Sequence, residues 1–149
     1  DVNQKMAALL QWGLRPIILL GEESRERDRA QEALAARLPH LFKGCRPEQM
    51  ASAVVVYEPE WTIGRKDPAP FQHISSTCDF LRRWIGEVYG SHTGEAVRII
   101  YGGSVTPAHS KSILASPHVD GLGAGRKGRD PQAFARIIRS IAQAKGMAG

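Results

Sequence analysis

Glu58 closes an apolar run and stands directly before Pro59. The run, Ala53-Val54-Val55-Val56-Tyr57, is short and rich in β-branched residues, so it reads as a fully buried strand. A carboxylate at the exit of such a strand stands where parallel α/β folds place their chemistry, which makes Glu58 a candidate base. The next segment, Pro59-Glu60-Trp61-Thr62-Ile63-Gly64, has a proline at one end and a glycine at the other. That arrangement suits a hinged loop able to close over whatever Glu58 attacks. A second apolar run ends in Tyr101-Gly102-Gly103-Ser104-Val105, where small residues let peptide N–H groups come close to an anion. Together these are a candidate base, a lid and an anion cradle.

Composition sets the bounds. The 149 residues, 42% of them hydrophobic, are enough for one ordinary globular domain over 1–149. No apolar stretch approaches the roughly 20 residues that span a bilayer, so no membrane partner is expected. Cys45 and Cys78 lack metal-like spacing and read as free thiols of a cytoplasmic protein. The net charge is +5, but the basic residues are dispersed, and Arg25 to Arg29 alternates with Glu26 and Asp28 as a solvated helix would. Attraction of a small anionic substrate explains the surplus as well as nucleic acid does. Charge alone decides nothing.

The elements that must position these residues alternate along the chain. A helix from about Asn3 to Trp12, with Met6, Leu9 and Leu10 on one face, stops at Gly13. Pro16 to Leu20 is a strand ending at Gly21-Glu22; Ser24 is set to cap a helix running through Ala30, Leu34 and Leu38 to Pro39. After the strand ending at Tyr57, a long helix presents Ile74, Cys78, Leu81, Ile85 and Val88 at spacings of three and four. Val97 to Tyr101 is the third strand, followed by a short helix capped by Thr106-Pro107. Val119 to Ala124 is the fourth strand. Asp130-Pro131 then starts a helix lined by Phe134, Ile137, Ile138 and Ile141. A helix and four strand–helix units imply a parallel sheet covered by helices. Four units are half of an eight-stranded barrel, which typically takes about 250 residues. The expected architecture is α/β, the last four strand–helix units of a TIM barrel, belonging to a longer polypeptide.

The segments Tyr57 to Gly64 and Tyr101 to Val105 resemble the two signature segments of the triosephosphate isomerase family. Pro16 to Glu22 with Glu26-Arg27, and Val119-Asp120-Gly121 through Gly125 to Phe134, are similar to that family in order and spacing. The resemblance covers essentially the whole chain, matched to the family's C-terminal portion. It implies a cytoplasmic isomerase of glycolysis and gluconeogenesis that interconverts an aldose phosphate and a ketose phosphate through an enediolate. Glu58 would be the base, strengthened by a dry site that raises its pKa. Gly64, Ser104, Gly125 and Arg126 would hold the phosphate, mostly through main-chain N–H. Pro59, Trp61, Tyr101, Gly102 and Gly103 would serve as lid and support; Tyr101 reads almost equally as a core tyrosine, and Gly102-Gly103 as a tight turn. No metal or cofactor is implied. The completed barrel would be a homodimer, its partner otherwise a small phosphorylated sugar.

Departures from the family pattern are plain. The lid continues as Arg65-Lys66-Asp67-Pro68-Ala69-Pro70, where two prolines stiffen its C-terminal side. Glu60 adds a negative charge beside the base, and Arg126 stands where the family has a glycine. Arg126 is either a solvated side chain or a new substrate contact. Such changes keep a four-carbon erythrulose phosphate open as substrate. The family's catalytic lysine and histidine have no counterpart here, so the chain alone is expected to be inactive. A non-catalytic phosphosugar-binding barrel is the other alternative. Gly123-Ala124-Gly125-Arg126-Lys127-Gly128 formally matches a dinucleotide fingerprint, but no strand follows its helix, so dinucleotide binding is not expected.

Overall fold

In the computed structural model, which describes residues 2–146, four short strands form one parallel sheet in the order β1-β2-β3-β4. They are β1 (Ile17–Leu20), β2 (Val54–Tyr57), β3 (Arg98–Tyr101) and β4 (Gly121–Leu122). Helix α1 (Val2–Gln11) precedes the sheet. The crossovers carry α2 (Ala30–Leu41) and α3 (Pro47–Ser52), then α4 (Phe71–Tyr89) and α5 (Ser91–Ala96), then α6 (Pro107–Leu114). Helix α7 (Pro131–Ala144) follows β4. Strand order that follows chain order, with every pair parallel, is the arc of a partial TIM barrel.

The pairing register fixes which side chains share a face. Ile18, Val55 and Ile99 lie side by side, as do Leu20, Tyr57 and Tyr101 one pleat further on. This face packs under the helices: Ile18, Val55, Ile99, Tyr57 and Tyr101 are all buried. The opposite face carries Leu19, Val56 and Ile100 in register. On β1 that face is bare, with Ile17 65% and Leu19 59% exposed, so the first strand is only half covered rather than enclosed. Glu58 follows Tyr57, so alternation aims it to this inner side, where barrel chemistry is done.

Element boundaries depart from sequence expectation where side-chain partners intervene. Ser24 caps nothing: its N–H and hydroxyl are donated to Glu60 Oε2 at 2.7 and 3.2 Å. A 3-10 segment, Ser24–Arg29, comes before α2 instead, and Glu26 accepts the Glu23 N–H at 2.9 Å. Pro39 lies inside α2, which continues to Leu41. Helices α3 and α5 are too short to show a period. Val88 is exposed, because Tyr89, four residues after Ile85, takes the core-facing place and donates its hydroxyl to the Phe42 carbonyl at 3.0 Å. On α7 the buried stripe is Ala133 and Ile137 with Ile141 partly covered, which leaves Phe134 and Ile138 on the outer flank. The caps at Thr106 and Asp130 form as expected; Asp130 Oδ1 accepts from Gln132 and Ala133 at 3.0 and 3.1 Å. The fourth strand shortens to two residues.

One polar tie registers β3 against β4 and α4. Arg82 Nη2 meets Asp120 Oδ2 at 2.6 Å, and the same oxygen accepts the Ile99 N–H at 2.7 Å. Arg82 Nη1 also donates to the carbonyls of Gly94 and Val97. In Asp120→Ala the half-buried guanidinium and a strand N–H both lose an acceptor, at a cost of about 2 kcal/mol. Urea unfolding of the full-length protein checks this; an unchanged midpoint would show that water replaces the carboxylate.

Candidate active site

The C-terminal ends of the strands surround a cavity of about 820 Å³. Glu58, Gly64, Gly102, Ser104, Gly125 and Arg126 line it together. Pro59, Trp61, Tyr101 and Gly103 do not; they lie behind the wall and hold the lid. Sequence reasoning missed the outer wall, to which Lys66, Thr106, His109, Lys127 and Asp130 contribute.

Strand pairing fixes the main chain of Glu58, whose N–H donates to the Leu20 carbonyl at 2.8 Å. Its carboxylate has no hydrogen-bonding or ionic partner among the described residues, leaving all its acceptor capacity for a ligand. Gly102 sits directly alongside. A Cβ there would lie 2.7 Å from Val56 Cγ1, too close to fit, and 3.4 Å from Glu58 Cβ, an ordinary contact, so glycine is needed against Val56. Close approach, not a tight turn, also explains Gly103: a Cβ would meet Thr62 Oγ1 at 2.2 Å and Tyr101 Oη at 2.6 Å. Neither glycine has a positive φ. Thr62 of the lid can lie against β3's loop because Gly103 lacks a side chain.

Four of the residues lining the cavity carry unused peptide donors. Among the described residues, the N–H groups of Gly64, Ser104, Gly125 and Arg126 have no protein acceptor. Ser104 has φ 48°, the only non-glycine with positive φ among the described residues. Such a conformation costs on the order of 1–3 kcal/mol and persists only where neighbours enforce it. Here its hydroxyl reaches the lid carbonyls of Thr62 and Arg65 at 2.7 and 2.8 Å. With the hydroxyl so occupied, Ser104 offers an anion its N–H.

Lid and strands are joined at further points. Tyr101 Oη accepts the Ala69 N–H at 2.9 Å, at the stretch where Pro68 and Pro70 flank Ala69. Burial pushes the Tyr101 hydroxyl pKa up, keeping it protonated. At the other end Trp61 Nε1 donates to Glu22 Oε1 at 2.7 Å, while Arg27 lies over the Trp61 ring at 4.2 Å. Glu60 turns out of the site. The 3-10 turn Glu60–Thr62 aims its carboxylate at Ser24, so it does not line the cavity as the sequence suggested.

Glu22 is fully buried and was not singled out from sequence. Beside Trp61, it accepts from Tyr57 Oη at 3.0 Å, and His73 Nε2 lies 2.9 Å from Oε1. An ionised carboxylate only accepts, so the His73 Nε2 carries hydrogen. The available signal was position: Glu22 ends β1 just as Glu58 ends β2. Burial raises its pKa, but hydrogen bonds from His73, Trp61, its own main chain and Tyr57 outweigh that and hold the value below the usual 4.5. Burial, then the Glu22 charge, pushes the Tyr57 hydroxyl far above its ordinary range, so it stays a donor.

A depressed pKa means that the bonding of Glu22 stabilises the fold fully above pH 4.5 and is lost as pH falls through the folded value. Titrating the full-length protein into acid is therefore expected to shift Trp61 emission. Glu22→Gln removes that transition and costs about 1–3 kcal/mol. An unaltered acid transition in the variant would assign it to other groups.

The sequence profile of the triosephosphate isomerase family matches residues 1–141. Triosephosphate isomerase of Lactobacillus acidophilus is 35% identical over 140 residues, covering 93% of this chain and 56% of the relative. That of Chloroflexus aurantiacus is 37% identical over 139 residues, 92% of this chain and 56% of the relative. A probable triosephosphate isomerase 2 of Listeria monocytogenes is 36% identical over 148 residues, 98% of this chain and 58% of the relative. The chain spans about half the length of the curated relatives it matches.

Proposed function

The chain belongs to the triosephosphate isomerase family, and we propose that it supplies the base, lid and phosphate site of an isomerase that interconverts dihydroxyacetone phosphate and glyceraldehyde 3-phosphate. The observation that carries this reading is one cavity shared by an unpartnered carboxylate, Glu58, and four unused peptide donors. The domain over 1–149 acts as the C-terminal half of a complete cytoplasmic barrel that forms a homodimer.

The N–H groups of Gly64, Ser104, Gly125 and Arg126 bind the substrate's phosphate, where peptide dipoles offset its charge without reorganising. This anchors the reacting carbons over Glu58. The carboxylate takes a proton from the carbon next to the carbonyl, and the electron pair moves into an enediolate. Protonated Glu58 returns the proton to the neighbouring carbon while the hydroxyl proton passes from one enediolate oxygen to the other, so the carbonyl and hydroxyl exchange places with no net change in oxidation. A lid held down over the cavity keeps water out and retains the enediolate until reprotonation. The developing oxyanion needs donors from strands outside these four.

Glu58→Asp withdraws the base but leaves the cradle intact. In the full-length protein kcat is expected to fall about 100-fold or more, while inhibition by inorganic phosphate changes less than about twofold. Matching losses in both would assign Glu58 a structural role. The isolated 149-residue chain lacks oxyanion donors each worth about 100-fold or more in kcat, so it should show no turnover. Measurable isomerisation by the purified, unassociated chain would refute that division of labour.

A further inference from the structure

We propose that the Arg126 side chain is a latch through which the substrate's negative charge holds the lid down. The proposal rests on the isomerase reading and assigns a positioning role to a side chain that this reading uses only for its N–H. Arg126 Nη2 donates to the lid carbonyl of Arg65 at 3.2 Å, across the cavity mouth from the segment after β4. That carbonyl also accepts from Ser104 Oγ at 2.8 Å. Loops after β3 and β4 thus grip one point of the lid, and the Arg126 grip is the charged one.

Arg126 is also part of the cavity wall with Gly64, Ser104 and Gly125, and its guanidinium reaches the carbonyl of another wall residue, Arg65. The guanidinium presents five N–H donors in a planar fork, and the lid carbonyl takes one of them. The others are free to meet a phosphate seated on the peptide donors, in the bidentate manner that guanidinium favours.

Charge gives the latch its direction. Four cations, Arg65, Lys66, Arg126 and Lys127, line the same cavity against three carboxylates, Glu58, Asp67 and Asp130, so the wall is left with a positive excess. Arg126 already touches the lid, and the excess positive charge surrounds that contact. A phosphate dianion in the cavity neutralises the excess and attracts both sides, so the lid holds more tightly while substrate or product is bound and exchanges faster once it leaves. Small neutral side chains at this position would keep the peptide donor and lose the coupling.

The test uses full-length protein, inorganic phosphate as the probe, and a fluorotryptophan sample whose lid resonance is assigned by Trp61→Phe. Arg126→Ala is expected to raise the phosphate inhibition constant about tenfold and to abolish the slowing of lid exchange that phosphate causes. Arg126→Lys should recover part of the affinity while leaving lid exchange fast, because an ammonium lacks the fork. If Arg126→Ala weakens phosphate but leaves lid exchange unchanged, the residue is a plain anion contact and the latch is wrong. If neither moves while the wild type isomerises its substrate, the latch fails and the isomerase reading stands. A wild type that neither binds phosphate nor isomerises overturns both.

Discussion

A buried carboxylate is the constraint on which the site geometry depends. Glu22 has no solvent contact, and removing an ionised carboxylate from water is costly unless donors surround it. The donors come from three places: Tyr57 on β2, Trp61 in the lid and His73 on α4. Each must arrive with its hydrogen directed at the same two oxygens. Meeting that demand fixes where the lid leaves β2, and therefore where Glu58, one residue before the lid, stands. Glu58 is placed by satisfying a different carboxylate.

Main-chain groups and missing side chains do the rest. Gly102 leaves space for Val56 on the neighbouring strand, and Gly103 lets Thr62 settle against Tyr101. Ser104 takes a strained backbone conformation and offsets it by binding two lid carbonyls. In exchange its N–H joins those of Gly64, Gly125 and Arg126 at the cavity. Peptide donors suit this work because they are held by the fold and need no rotamer to be ordered when the anion arrives. Charged side chains then remain available for a different task, attracting the ligand and responding to it.

Much of this was legible before any coordinates. Glu58 stood out by the strand preceding it and the Tyr101–Val105 segment by its glycines, and the structure brings both to one cavity. Four strand–helix units were readable from periodicity and caps. The residues that misled were those whose role is set by distant partners. Glu60 read as a charge beside the base, yet Ser24, 36 positions away, draws it outward. Ser24 read as a helix cap for the same reason in reverse. Val88 and Phe134 fitted an apolar spacing, but which side of a helix meets the sheet depends on how the helix is rotated, and spacing of three or four permits more than one stripe.

The order of residues along the chain therefore determined the parallel α/β arc, the place of Glu58 at the end of β2, and the glycine-bearing loops that share its cavity. These follow from local patterns: apolar runs, caps and glycines. Tertiary structure alone decided that Glu22 anchors the lid, that Gly102 and Gly103 serve close approach rather than turning, and that Arg126 reaches the Arg65 carbonyl 61 positions away. Hydrogen-bond satisfaction between segments remote in sequence has no local signature, because it arises only when the folded chain brings donor and acceptor to the same few cubic ångströms.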